Sequence, residues 1–104
     1  MICEVLREKG FAVVEAGSAD EAMSYIATGQ PVDIVFSDVR MPGSMDGIAL
    51  GQRLRADHPD MKIMLTSGDH GAQAMTSGLA FFAKPYNPYH IAAVMTAKLT
   101  EREP

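Results

Sequence analysis

The chain has 104 residues, 47% of them hydrophobic by type, which is enough for one small core and too few for two. A formal net charge of -4 with no basic cluster argues against direct nucleic-acid binding and against anionic membrane surfaces. One cysteine, Cys3, permits neither an internal disulfide nor a cysteine-built metal site, which fits a reducing cytoplasm.

From Met1 to Lys9 the apolar residues Ile2, Val5 and Leu6 recur at helical spacing, with Cys3 as a small residue of the same helix, and Gly10 supplies a left-handed stop. Phe11 to Ala16 is short, partly β-branched and followed by Gly17, which predicts a strand. Ser18 with Glu21 makes a capping box opening a helix with Ala22, Met23 and Ile26 inward, and Gly29 before Pro31 closes it. Asp33 to Asp38 is the next strand; its run Ile34, Val35, Phe36 reads as buried on both faces, and Asp38 falls where the chain emerges into a turn. A helix from about Asp46 to Asp57 follows, with Leu50 and Leu54 on one side. His58-Pro59 leads into a third strand, Lys62 to Thr66. Gly68 to Gly78 is rich in glycine and small polar residues, so a fourth helix there is short or absent. Phe81 to Ala83 is the last strand, and Asn87 then caps a helix with Pro88 at its first position. That closing helix runs to about Leu99 with Ile91, Val94, Met95 and Leu99 as its buried stripe, before a polar tail from Thr100 to Pro104. No apolar stretch approaches the roughly 18 residues of a membrane span, and the start lacks the regions of a signal peptide. Without repeat or linker, residues 1–104 are expected to form a single domain.

Alternating strands and helices imply a parallel sheet with right-handed crossovers and helices on both faces. In that architecture Asp38, Thr66 and Lys84 stand at the carboxyl ends of successive strands and line one rim, where open α/β sheets bind ligands. A carboxylate, a hydroxyl and an ammonium facing one another suit the capture of a phosphoryl group, as nucleophile, hydrogen-bond donor and counter-charge. Taken singly, Asp38 reads as a turn former or cap, Thr66 as a strand-end hydroxyl and Lys84 as a solvated charge; their conjunction carries the reading. Asp46 reads as a helix cap rather than a metal ligand. His58, His70 and His90 lack ligand spacing and read as surface residues, His70, next to the strand end at Thr66, being the one to test as a modulator of phosphoryl hydrolysis.

On these residues the chain resembles a receiver domain of a two-component response regulator. Asp38 with Met41-Pro42-Gly43 and Met45-Asp46-Gly47 is similar to that family's phosphorylation-site segment, Leu65-Thr66-Ser67 to its switch threonine, and Lys84-Pro85-Tyr86 to its lysine and following proline. The resemblance covers essentially the whole chain and implies a flavodoxin-like doubly wound parallel sheet in the order 2-1-3-4-5. It implies that the protein is a signalling component rather than a metabolic enzyme. Asp38 would take a phosphoryl group from a phosphohistidine of a sensor histidine kinase or hybrid kinase, while Thr66 hydrogen-bonds the group and Lys84 pairs with it. Phe81 would be the switch aromatic that turns inward as Thr66 moves, changing the surface read by a downstream effector protein, with dimer formation as one route.

The resemblance also implies magnesium held by Asp38, the backbone carbonyl of Arg40 and an acidic pair. That pair normally ends a first, central strand, which this sequence lacks, since it opens within the helix that follows. Glu4 lies along that helix and cannot replace it. The expectation is an N-terminally incomplete receiver whose upstream strand belongs to the natural protein, with magnesium weak or absent in this segment. Ser44 is an extra residue in the phosphorylation-site segment, and the interval from Thr66 to Lys84 is shorter than usual, so no standard dimer mode is carried over. A degenerate receiver acting as a protein-docking module without phosphorylation is the alternative. A small hydrolase is disfavoured, because no Ser and His at suitable strand ends can pair.

Overall fold

The computed structural model describes residues 2–43, 45–68 and 78–100. In chain order its elements are α1 (Ile2–Glu8), α2 (Ala19–Ala27), β1 (Ile34–Asp38), α3 (Gly47–Asp57), β2 (Lys62–Ser67), β3 (Ala80–Ala83) and α4 (Pro88–Thr100). They fall into two compact units, Ala16–Lys84 and Met1–Glu15 with Pro85–Pro104.

The larger unit holds a three-stranded parallel sheet in the order β1-β2-β3. β2 is the central strand, and its residues from Ile63 to Ser67 are all buried, as a run without polar alternation requires. Alternation along the strands aims Val35, Ile63, Leu65 and Phe81 at one face. There they pack with Ala19, Ala22, Met23 and Ile26 of α2 and with Leu50 and Leu54 of α3. Leu50 and Leu54 are 1% and 0% exposed, so this face is the core of the unit. Gly51 lets α3 approach closely, for a side chain there would stand 2.7 Å from Leu79 Cδ1 and 2.9 Å from Ile63 Cγ2.

Both helices start at side-chain caps. Ser18 Oγ accepts from the Glu21 N–H at 3.2 Å, and Glu21 Oε1 accepts from the Gly17 N–H at 2.7 Å, one residue earlier than the usual reciprocal bond. Asp46 Oδ1 accepts from the Ala49 N–H at 2.8 Å, which makes Asp46 the cap of α3.

In the smaller unit α1 packs on α4, with Val5, Leu6, Ile91, Ala92 and Met95 buried. Arg7 pairs with Glu15 at 3.3 Å, and Lys9 Nζ lies 5.5 Å from the centre of the Tyr89 ring. Asn87 Oδ1 accepts from the Tyr89 N–H at 2.9 Å, the cap expected for α4. No helix among the described residues is long and apolar enough to cross a membrane.

Two expectations are corrected. Phe11 to Ala16 is not a strand: it joins no ladder, and Val14 is 59% exposed. Strand propensity is local, whereas a strand exists only where a neighbour completes its hydrogen bonds, and none does so here among the described residues. Leu99, expected in the buried stripe of the closing helix, is 41% exposed, because it sits in the last turn of α4, beyond Met95. The short fourth helix expected between Gly68 and Gly78, His70 within it, Ser44 and most of the polar tail lie outside the described residues.

Candidate functional site

Three strand ends of the larger unit build the site. In β1, Val35 and Ser37 point to the helix-covered face, so Asp38 emerges on the other side at the carboxyl end of the strand, where it is exposed. Thr66 lies opposite Asp38 in the register with β2 and opposite Phe82 in the register with β3, which places it on the strand between the two. Lys84 follows β3 directly. Its N–H donates to the Ser67 carbonyl at 2.9 Å, continuing the ladder by one residue and fixing the backbone from which the lysine extends.

The lysine Nζ stands 2.5 Å from Asp38 Oδ1, with 41% of the lysine side chain and 46% of the aspartate side chain exposed. This charge-assisted contact joins residues 46 positions apart in the chain. Thr66, 2% exposed, donates its hydroxyl proton to the Phe82 carbonyl at 2.7 Å. The structure therefore brings Asp38 and Lys84 into contact, with Thr66 across the ladder from Asp38 and its hydroxyl turned toward β3. Phe81, in register with Leu65, is half-buried against the core cluster. Arg40 is exposed in the loop after β1.

Sequence reasoning missed the backbone around Asp38. Ser37 is 7% exposed, and its hydroxyl donates to the Asp38 carbonyl at 2.8 Å. Gly47, the first residue of α3, donates its N–H to the Val39 carbonyl at 2.8 Å. A side chain on Gly47 would collide with the Asp38 carbonyl and come within 2.9 Å of Ser37 Oγ. A signal was present: a hydroxyl at a core-facing position of an apolar strand immediately before the acid.

Among the described residues no group of three or more His, Cys, Asp or Glu side chains stands close enough to hold a metal ion. Magnesium demands near-octahedral oxygen coordination. The Asp38 carboxylate with an Arg40 carbonyl leaves that set incomplete, and Asp46 is engaged as a cap, so the described residues do not fit a full magnesium site. An open concavity of about 470 Å³ lies at the amino ends of β1 and β2, between segments 29–33 and 57–61; it contains none of the predicted site residues.

The family model of the response regulator receiver domain matches residues 1–96. The sensor kinase CckA of Brucella abortus (strain 2308) is 35% identical over 105 residues, taking in 94% of this chain and 11% of that protein. The C4-dicarboxylate transport transcriptional regulatory protein DctD of Rhizobium meliloti (strain 1021) is 39% identical over 89 residues, 80% of this chain and 19% of that protein. The crystal structure of the receiver domain of NtrX from Brucella abortus superposes with a TM-score of 0.82 at 27% identity, covering 96% of this chain and 88% of that one. The flavodoxin-like α/β layout expected from the sequence is thus that of a solved receiver domain. The chain spans only 11% and 19% of the length of the two curated relatives.

Proposed function

Because the chain belongs to the response regulator receiver domain family, we propose that residues 1–104 form one receiver module that accepts a phosphoryl group on Asp38 from a phosphohistidine of a sensor histidine kinase or hybrid kinase. The observation that carries this reading is the Lys84 ammonium 2.5 Å from the Asp38 carboxylate, at the ends of strands distant in sequence. A carboxylate oxygen of Asp38 forms the new P–O bond as the P–N bond of the phosphohistidine breaks and the imidazole leaves with its electron pair. Lys84 offsets the charge gathered on the transferred oxygens. Thr66 supplies the remaining donor once its hydroxyl turns from the Phe82 carbonyl to the phosphoryl group. Once the Thr66 hydroxyl leaves the Phe82 carbonyl, β3 can respond through Phe81, and the altered surface is read by a downstream effector protein. The exchange belongs to the cytoplasm, where a single cysteine stays reduced. A receiver of this kind is a regulatory switch, and slow hydrolysis of its own acyl phosphate resets it.

The incomplete metal-ligand set among the described residues favours a second reading, a degenerate receiver that docks partners without accepting phosphate. Incubation with magnesium and acetyl phosphate, and separately with a phosphorylated histidine kinase, distinguishes the two by intact mass. The acceptor reading expects an acid-stable, base-labile phosphoryl adduct that disappears in Asp38→Asn and is diminished in Lys84→Ala. No adduct with either donor leaves the docking module standing, and an adduct that survives Asp38→Asn removes Asp38 as the acceptor.

A further inference from the structure

The alternation of β1 places Ser37 with Val35 on the core-facing side, so a hydroxyl occupies a position where an apolar side chain would pack. The peptide that joins Asp38 to Val39 explains why. Its N–H donates to the Thr66 carbonyl at 2.9 Å on β2. The carbonyl of the same peptide points away from β2 and lies against Gly47 at the start of α3. Backbone carbonyls shielded from water need a donor. The Ser37 hydroxyl supplies it at 2.8 Å, so both polar groups of this peptide are held. The next carbonyl, that of Val39, accepts from Gly47, and Gly47 itself closes on the Asp38 carbonyl too tightly for any side chain to intervene.

We propose that Ser37 is a positioning residue for Asp38: its buried hydroxyl locks the peptide plane after the acid and so aims the carboxylate at Lys84. With that plane fixed, the remaining freedom of the acid is its own side-chain rotation. A reacting group on a rigid strand needs to be held to within about half an ångström, and small misplacements cost rate steeply. The consequence for phosphoryl transfer rests on the reading of Asp38 as acceptor; the consequence for the ion pair does not.

The test uses both consequences. Lys84 is acetylated with acetic anhydride and followed by peptide mass spectrometry beside Lys9, Lys62 and Lys98, with Asp38→Ala defining the labelling of the lysine once the Asp38 contact is lost. Ser37→Ala is expected to move Lys84 labelling most of the way to the Asp38→Ala value and leave the other lysines unchanged, and Ser37→Thr is expected to restore the wild-type rate. With acetyl phosphate, Ser37→Ala should lower the rate at saturating donor roughly tenfold without changing the half-saturating concentration, a split that general loosening of the fold does not produce. Ser37→Thr against Ser37→Val, equal in shape and differing in the donor, repeats the comparison if Ser37→Ala does not fold. Wild-type Lys84 labelling in Ser37→Ala alongside a raised rate in Asp38→Ala overturns the proposal, as does an Asp38→Ala change that leaves Lys84 unaffected. A wild-type protein that takes no phosphoryl group from acetyl phosphate defeats the acceptor reading instead, and the labelling of Lys84 still decides the role of Ser37.

Discussion

Replacing Gly47 with alanine sets two effects of opposite sign against each other. Within a helix alanine is favoured over glycine by about 1 kcal/mol. At this position, however, the added methyl group falls on the Asp38 carbonyl and 2.9 Å from Ser37 Oγ. That carbonyl cannot swing aside as a side-chain end would, because Ser37 holds it at 2.8 Å and the following N–H is tied to β2 at 2.9 Å. Helix α3 must lift instead, which strains the Gly47 bond to the Val39 carbonyl and disturbs Leu50 and Leu54 behind it. Overpacking costs about 1 to 3 kcal/mol, and a weakened hydrogen bond adds about 1 kcal/mol. Subtracting the helix preference leaves a net loss of about 1 to 3 kcal/mol. Urea denaturation followed by circular dichroism reads this as a lower midpoint at unchanged slope. Gly51→Ala is the comparison: its methyl meets side-chain ends of Leu79 and Ile63, which can yield, so its loss should be smaller. A Gly47→Ala protein as stable as the wild type, or more so, would show that α3 does not rest on the Asp38 peptide.

Leu54→Ala, at a side chain with 0% exposure between α3 and the sheet, should lower unfolding stability by about 2 to 5 kcal/mol in the same assay. Lys84→Ala should change stability by less than about 1 kcal/mol, since both side chains of its ion pair are more than two-fifths exposed, yet slow phosphorylation by acetyl phosphate roughly a hundredfold. Equal phosphorylation rates in that variant and the wild type would remove Lys84 from the mechanism. The Cys3 thiol is held above its ordinary range first by burial and then by the charge of Glu15. Because the thiolate is the reactive form, alkylation by iodoacetamide should be slow at neutral pH, and Glu15→Gln should move the pH-rate profile to lower pH. An unmoved profile contradicts that account.

Much of the site was legible because topology rules act on short, punctuated segments. The run Ile34-Val35-Phe36 before Asp38, and Phe81 to Ala83 before Lys84, identified two strand ends, and parallel pairing then required them to meet. The caps at Ser18, Asp46 and Asn87 were equally readable, since each rests on side chains within three residues of the helix start. Phe11 to Ala16 misled because its pattern reports a preference for extended backbone and says nothing of a partner strand. The partner of the Thr66 hydroxyl was hidden for a related reason: nothing local distinguishes a donation to the Phe82 carbonyl from one toward Asp38. Ser37 and Gly47 were read past because each is ordinary alone. Their meaning lies in a backbone approach between a strand end and a helix start 10 residues apart.

The most direct measurement is borohydride reduction of the phosphorylated protein followed by peptide mass spectrometry, since the reagent converts an aspartyl phosphate to homoserine and marks the acceptor. The account predicts homoserine at position 38 and nowhere else. Conversion at any other acid, such as Asp20 or Asp46, or a phosphoryl adduct that yields no homoserine at all, would contradict it.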